Sequence, residues 1–112
     1  MKIYSTSDTY DLNKYIGKDV WVLAKVPEGR SYIKILSVIS DVVTYREVYD
    51  EYVDGDWGIE PDDPELWLYS PYDVYKHHEP VDKIHIITPI SIFTTDELYE
   101  ILCSHIGLED EE

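Results

Sequence analysis

The stretch that decides the fold is residues 19–49, DVWVLAKVPEGRSYIKILSVISDVVTYREVY. It contains three segments rich in Val, Ile, Tyr and Thr, which are residues 19–26, 32–39 and 42–49. These residue types fit the pleated, half-buried surface of a sheet. Turn-forming residues separate the segments, PEGRS between the first two and Ser40-Asp41 between the last two. The stretch therefore predicts three consecutive antiparallel strands joined by tight turns.

The middle segment has apolar side chains on both of its faces. Ile33 and Ile35 alternate with Tyr32, Lys34 and Leu36, and successive side chains of a strand point to opposite faces. Only Lys34 is expected to point to water. A strand covered on both sides is typical of the centre of a sheet, so we predict that residues 32–39 form a central strand.

Outside this stretch, shorter signals complete the set of predicted elements. Residues 65–69 and 83–88 predict two further strands, and residues 8–16 a short helix. Thr94 and Glu97 have the spacing of a capping box, which predicts that a helix begins at Thr94. Its apolar stripe begins with Leu98, and Gly107 is expected to end it. Among the aromatic residues, Trp21, Tyr32 and Trp67 are expected in the core.

One segment fits two structures. For residues 45–53, Tyr45, Val48 and Tyr52 have the spacing of a helical face, whereas the Val, Tyr and Thr content of the run 42–49 favours a strand. Residues 53–65 contain two glycines and two prolines and predict a loop. The predicted fold is a single α+β domain over residues 1–108, with residues 109–112 as an acidic tail. It consists of a curved antiparallel sheet or small open β-barrel of about five strands with a C-terminal helix.

Negative charge is concentrated in two parts of the chain. The 112 residues carry a net charge of -15. Residues 41–75 contain eleven Asp and Glu but only one basic residue, Arg46, and residues 96–112 contain seven acids and no base. A protein of this charge is repelled by nucleic acid and by anionic lipid and attracted to basic surfaces. We therefore expect no direct binding of nucleic acid or membranes.

The sequence also disfavours several other classes of protein, namely membrane and secreted proteins, metal-binding proteins and enzymes. No apolar run approaches the ~18 residues that span a bilayer, and the N-terminus lacks a secretion signal, so a cytoplasmic location is expected. The single cysteine, Cys103, forms no intramolecular disulfide and is expected to be a partly buried thiol. The chain has no nucleophile elbow, phosphate-binding loop or HExxH motif, and its histidines lack the spacing of a metal site. We expect no enzymatic activity and no cofactor.

The acidic block partly matches a calcium-binding loop. With Asp54 as the first position, acids occupy positions 3, 7, 9 and 12. Position 6, which needs glycine for a sharp turn, is Ile59, and position 8 is Pro61. Because the turn geometry is missing, weak adventitious cation binding is expected rather than a dedicated metal site.

The acidic block is also rich in aromatic residues, which predicts a surface for a protein partner. Tyr and Trp are enriched at binding hot spots. Duplex DNA carries one charge per ~1.7 Å of axis, so a net charge of -10 over residues 41–75 equals roughly 17 Å of duplex. The predicted partner-binding residues are Glu47, Tyr49, Asp50, Glu51, Tyr52, Asp54, Asp56, Trp57, Glu60, Asp62 and Asp63.

In charge and size, residues 47–63 and 109–112 resemble the small acidic DNA-mimic inhibitors of phages and mobile elements, including anti-CRISPR and anti-restriction proteins. The resemblance implies a protein that occupies the nucleic-acid or target-adjacent-motif site of a nuclease. Separately, we expect a monomer or dimer that binds a basic protein partner. One alternative is an immunity protein or antitoxin that neutralises a basic nuclease toxin. Another is a small β-domain of a larger assembly, whose acidic face only keeps it in solution and whose aromatic residues form the core or an oligomer interface.

Overall fold

A computed structural model describes residues 11–55, 58–87 and 92–106. The strands are β1 (Val22–Val26), β2 (Gly29–Ile39), β3 (Val42–Tyr49), β4 (His77–Pro80) and β5 (His85–Ile86). The helices are α1 (Asp50–Asp54), α2 (Asp63–Tyr69) and α3 (Thr95–Cys103), and 3-10 turns occur at Asp11–Tyr15, Asp73–Tyr75 and Val81–Lys83. The strands form one open antiparallel sheet in the order β4-β3-β2-β1-β5. The predicted α+β fold with a C-terminal helix is confirmed, and β2 is its central strand.

The two hairpins of residues 22–49 fix the register of the sheet. Ser40 and Asp41 have φ angles of 52° and 64° and form a two-residue loop, since Ile39 pairs with Val42. Left-handed residues at both loop positions match the twist of the flanking strands. Near the middle of the hairpin the register shifts between Ile35 and Ser37, which gives β2 a bulge.

Side chains on the two faces of the sheet enter separate hydrophobic clusters. On the face that we call the N-terminal face, the strands pack against the first 3-10 turn and the cluster contains Leu12, Tyr15, Val22, Ala24, Ile33, Ile35, Val43, Tyr45 and Ile84. On the opposite face, the helical face, the cluster contains Trp21, Val48, Ile59, Leu68, Leu98 and Leu102. Both faces of the sheet are therefore covered, as the apolar character of β2 predicted.

The start of α3 is tied to the sheet by a hydrogen-bonded network. Thr94 and Glu97 form the predicted capping box. The indole N–H of the fully buried Trp21 donates to Thr95 Oγ1 at 3.0 Å, and Thr95 Oγ1 in turn donates to Asp19. The Lys34 ammonium donates to the same oxygen at 3.3 Å and lies 3.4 Å from Asp19. Lys34 is thus half-buried under the helix and does not point freely to water as predicted, because its chain is long enough to reach the α3 N-terminus.

Three predicted elements differ from the structure. Residues 65–69 form a helix rather than a strand, because Pro64 fits the first turn of a helix and Leu68 is buried on the helical face. The fifth strand is instead β4, which sequence patterns missed. The ambiguous segment 45–53 is a strand up to Tyr49 and then becomes α1. The predicted loop 53–65 is shorter, since α1 extends to Asp54 and α2 begins at Asp63.

Other predictions hold in part. Trp21 is fully buried, whereas Tyr32 and Trp67 are half-buried. The predicted helix 8–16 is a 3-10 turn, and the strand 83–88 is reduced to β5. Residues 8–10, Thr88, Gly107 and the tail 109–112 lie outside the described residues. Within the described ranges, no helix has the length and apolar character needed to cross a membrane.

Candidate protein-binding surface

Most of the predicted site residues lie between the end of β3 and the start of α2. Tyr49 ends β3, and α1 carries Asp50, Glu51, Tyr52 and Asp54. After α1, the chain passes through Glu60 and Asp62 to reach Asp63 at the start of α2. Asp56 and Trp57 lie outside the described residues.

This segment is anchored to the protein core by its apolar side chains. Tyr52 and Val53 pack against the helical-face cluster, and Ile59 is buried in it. Ile59 also forms a parallel bridge with Ile106, just beyond α3. The acids in between are therefore attached to packed backbone on both sides.

Four of the acids are exposed, and we call them the acidic ribbon: Glu51, Asp54, Glu60 and Asp62. The other two make local contacts. Asp50 is half-buried and lies 3.4 Å from the Arg30 side chain, and Asp63 accepts a hydrogen bond from the Glu60 N–H at 3.3 Å. Asp50 and Asp63 therefore already have contacts within the protein, whereas the carboxylates of the acidic ribbon are exposed to solvent and accessible to a partner.

The segment that carries the acidic ribbon, from α1 to the start of α2, lies near the C-terminal end of α3. Tyr99 donates to Glu65 at 3.2 Å and Tyr69 donates to Asp96 at 3.3 Å, so α2 and α3 run antiparallel and the start of α2 lies towards the end of α3. Next to α1, a Cβ on Gly55 would lie 2.9 Å from His105. Gly55 also has φ +84°, so a side chain there would be both crowded and strained. Glycine at position 55 therefore allows the chain to lie close to His105, just after α3.

Glu47, which was also predicted as a partner-binding residue, does not lie on the acidic ribbon but is buried. Its side chain is 2% exposed, because it points from β3 to the N-terminal face beside Ser31. Ser31 Oγ donates to Glu47 Oε2 at 2.7 Å, and His77 Nε2 lies 3.4 Å from Oε1. Among the described residues, Oε1 has no hydrogen-bond partner. Burial raises the pKa of Glu47, although Ser31 and His77 act in the opposite direction.

A cavity adjoins Glu47 at the edge of the sheet. β4 pairs with β3 only from Val42 to Tyr45, so the last part of β3 lacks a neighbouring strand on that side among the described residues. The cavity has a volume of about 260 Å³. Residues that line it include Glu47, Tyr49, Tyr52, Trp67, Tyr75 and His77. The Tyr52 ring stacks on Tyr49, with centroids 5.9 Å apart, and contacts Trp67 at a centroid distance of 4.8 Å with the two rings tilted by 37°.

Sequence reasoning missed three residues of this region, Glu28, His77 and Glu79. Burial raises the pKa of Tyr45, and the next causes are Glu47, Glu28 and Glu79. The carboxylates lie on different sides of Tyr45, since Glu79 pairs with Val43 near the start of β3 and Glu28 lies in the turn opposite its end. The hairpin register could have revealed Glu28, since the β1–β2 turn lies opposite the end of β3. No sequence signal brought His77 and Glu79 here, because β4 itself was not predicted.

The remaining metal and thiol candidates have ordinary surroundings. Among the described residues, no group of three or more His, Cys, Asp and Glu could hold a metal ion, and part of the calcium-like loop lies outside them. His78 bonds Thr44 Oγ1 at 3.0 Å, and Cys103 is half-buried on α3.

The chain matches no protein-family model, no curated protein and no solved structure. A function has to follow from the chemistry of the acidic ribbon and of the cavity.

Proposed function

We propose that this protein is a non-enzymatic inhibitor that binds a basic, nucleic-acid-handling protein, such as a CRISPR or restriction nuclease, in place of nucleic acid. The observation that carries the proposal is the acidic ribbon, whose exposed carboxylates are attached to backbone that is packed on the core. Such a partner would be met in the bacterial cytoplasm.

Burial removes one basic and one acidic side chain of residues 41–75 from the surface, Arg46 and Glu47, so the net surface charge stays at the sequence count. Arg46 is the only basic residue between positions 41 and 75. Its side chain is buried, and its guanidinium donates to the backbone carbonyls of Trp67 and Ser70. Arg46 is thus used inside the fold and leaves the acidic ribbon without a basic neighbour from its own segment.

Fixed carboxylates suit phosphate mimicry for two physical reasons. Summed negative charge steers a basic partner towards the surface and raises the association rate, an effect that weakens as salt rises. Groups already held by the fold lose less conformational entropy on binding than groups on a disordered chain. Tyr49, an exposed aromatic side chain that lines the cavity, adds the type of contact that dominates binding energy.

The experiment begins with capture of partners from host lysate at low salt, elution at high salt and identification of the eluted proteins. A captured protein is then purified and titrated with wild type, with the α1 variant Glu51→Lys/Asp54→Lys, and with duplex DNA as competitor. We expect a basic nuclease whose DNA binding is mutually exclusive with this protein. The α1 variant should associate about tenfold more slowly, because attraction becomes repulsion at two positions.

The matched control is Asp82→Lys/Glu100→Lys, which changes the net charge equally at two exposed positions outside the acidic ribbon. It should slow association by less than the α1 variant does. Equal slowing by both variants would reduce the effect to bulk charge, and simultaneous binding of DNA and this protein would contradict the mimicry. A captured nuclease toxin would instead indicate an immunity protein.

A further inference from the structure

The cavity beside β3 combines an aromatic lining with a buried carboxylate. Tyr49, Tyr52 and Trp67 form a row of rings in contact along it, in which Tyr49 and Tyr52 are stacked and Trp67 is tilted by 37° from Tyr52. Aromatic faces carry partial negative charge and attract cations, Trp most strongly. Their combination with a carboxylate is the arrangement that protein sites use to bind organic cations.

The carboxylate of Glu47 is only half satisfied. Oε2 accepts the Ser31 hydroxyl, whereas Oε1 has no hydrogen bond from any described residue. An unpaired carboxylate oxygen is costly to bury, and one beside a cavity indicates a donor that arrives with a ligand. His77, whose side chain is 39% exposed, is the neighbour that such a donor would displace from Oε1.

The negative charge around the cavity and the cavity volume limit which ligands it can bind. Glu47, Glu28 and Glu51 all raise the pKa of Tyr49 after the larger effect of burial, so the surroundings of the cavity are negative and disfavour phosphates and carboxylates. The volume of about 260 Å³ is below the range of about 300–1,000 Å³ typical of pockets for drug-sized ligands. The cavity therefore suits the end of one side chain better than a nucleotide.

We propose that this cavity binds the guanidinium group of an arginine side chain presented by the protein partner. The planar guanidinium stacks on aromatic rings and carries several N–H donors for a carboxylate. It therefore meets both the ring row and Oε1. The choice of a protein partner rests on the proposed function, but the binding chemistry of the cavity does not.

The test uses the full chain and a small probe, N-acetylarginine amide, with N-acetylcitrulline amide as its neutral, nearly isosteric control. Binding is followed by NMR through the indole N–H of Trp67 and the backbone amides of Tyr49 and Tyr75. The arginine probe should give saturable shifts at these signals. The citrulline probe should bind at least about tenfold more weakly, because it lacks the charge that the rings and Glu47 attract.

Variants assign the effect to the carboxylate. Glu47→Gln should weaken the arginine probe about tenfold, whereas Glu79→Gln, which removes a nearby acid outside the cavity lining, should change binding less than about twofold. Equal binding of both probes, or undiminished binding to a folded Glu47→Gln, would overturn the proposal. If Glu47→Gln fails to fold, the comparison of the two probes on the wild type still tests whether the cavity binds a guanidinium group. Because these titrations need no partner, the cavity and the proposed function can fail separately.

Discussion

Arg46 and Glu47 are adjacent in β3, carry opposite charges and are both buried. They point to opposite faces of the sheet and differ in how completely their charged groups are hydrogen-bonded. On the helical face, the Arg46 guanidinium donates to the carbonyls of Trp67 and Ser70 at the end of α2. These are carbonyls of the last helical turn and the C-cap residue, and a cation there is also favoured by the helix dipole. On the N-terminal face, Glu47 has one bonded oxygen and one unbonded oxygen among the described residues.

The difference separates a structural residue from a candidate binding residue. Arg46 holds a helix to the sheet, and its removal would leave buried carbonyls without donors. Glu47 contacts Ser31 of β2 and His77 of β4, but its Oε1 has no hydrogen bond from a described residue and its burial carries a desolvation cost. Removing the Arg46 donors should therefore be costly, whereas the incompletely bonded Glu47 is the residue to which the proposed ligand would bind.

The largest loss of stability is expected when the hydrogen bonds of Arg46 are removed. Arg46→Met keeps most of the side-chain length but removes the donors, and it should lower the free energy of unfolding by about 3 kcal/mol. Urea denaturation at neutral pH measures this loss. The control is Arg30→Met, because Arg30 is exposed and its ion pair with Asp50 should contribute less than about 1 kcal/mol. Similar losses in both variants would contradict the structural role of Arg46.

A smaller effect is expected from the one hydrogen bond that Glu47 has. Ser31→Ala removes the hydroxyl donor and should cost about 1–3 kcal/mol at neutral pH, because the carboxylate loses its partner. In the Glu47→Gln background the same substitution should cost less, since an amide is cheaper to leave unpaired than a charge. A double-mutant cycle from urea denaturation measures the difference. Additive effects would show that the hydroxyl does not act through the Glu47 charge.

The smallest effect at neutral pH is expected from Glu47→Gln itself, within about 1 kcal/mol of wild type, and it should change with pH. The folded-state pKa of Glu47 lies above its ordinary value of 4.5, mainly because of burial. The folded protein therefore binds more protons than the unfolded chain, and the Glu47 contribution is present below pH 4.5 and lost as pH rises through the folded pKa.

The measurement is the stability of wild type minus that of Glu47→Gln, followed from acid to neutral pH. The difference should fall as pH rises. Ser31 and His77 lower the pKa of Glu47, whereas Glu28 and Glu79 raise it. Because His77→Gln removes one of the lowering groups, it should make the stability difference fall more steeply as pH rises. A difference that rises with pH would mean that Glu47 is stabilised as the carboxylate, and its incomplete bonding would then not indicate a missing ligand.

Local patterns predicted part of the fold and much less of the site. The hairpins and the capping box were predictable, because hydrophobic alternation, turn residues and Thr94–Glu97 spacing act over a few residues. Residues 65–69 were predicted as a strand from their apolar content, yet packing of Leu68 on the helical face selects a helix. Exposure was predicted for the acids as a group, and Glu47 differs because the β3 register turns its side chain inward.

The sequence by itself determined the central antiparallel hairpins, the start of the C-terminal helix and the concentration of negative charge between residues 41 and 75. These depend on side-chain periodicity, short capping motifs and composition, which are local properties of the chain. Only the tertiary structure decided that Arg46 is used inside the fold, that Glu47 lies beneath an aromatic cavity and that Glu28 and Glu79 come near it. The physical reason is that burial and pairing depend on which distant segments meet, and β4 brings in residues about thirty positions away from β3.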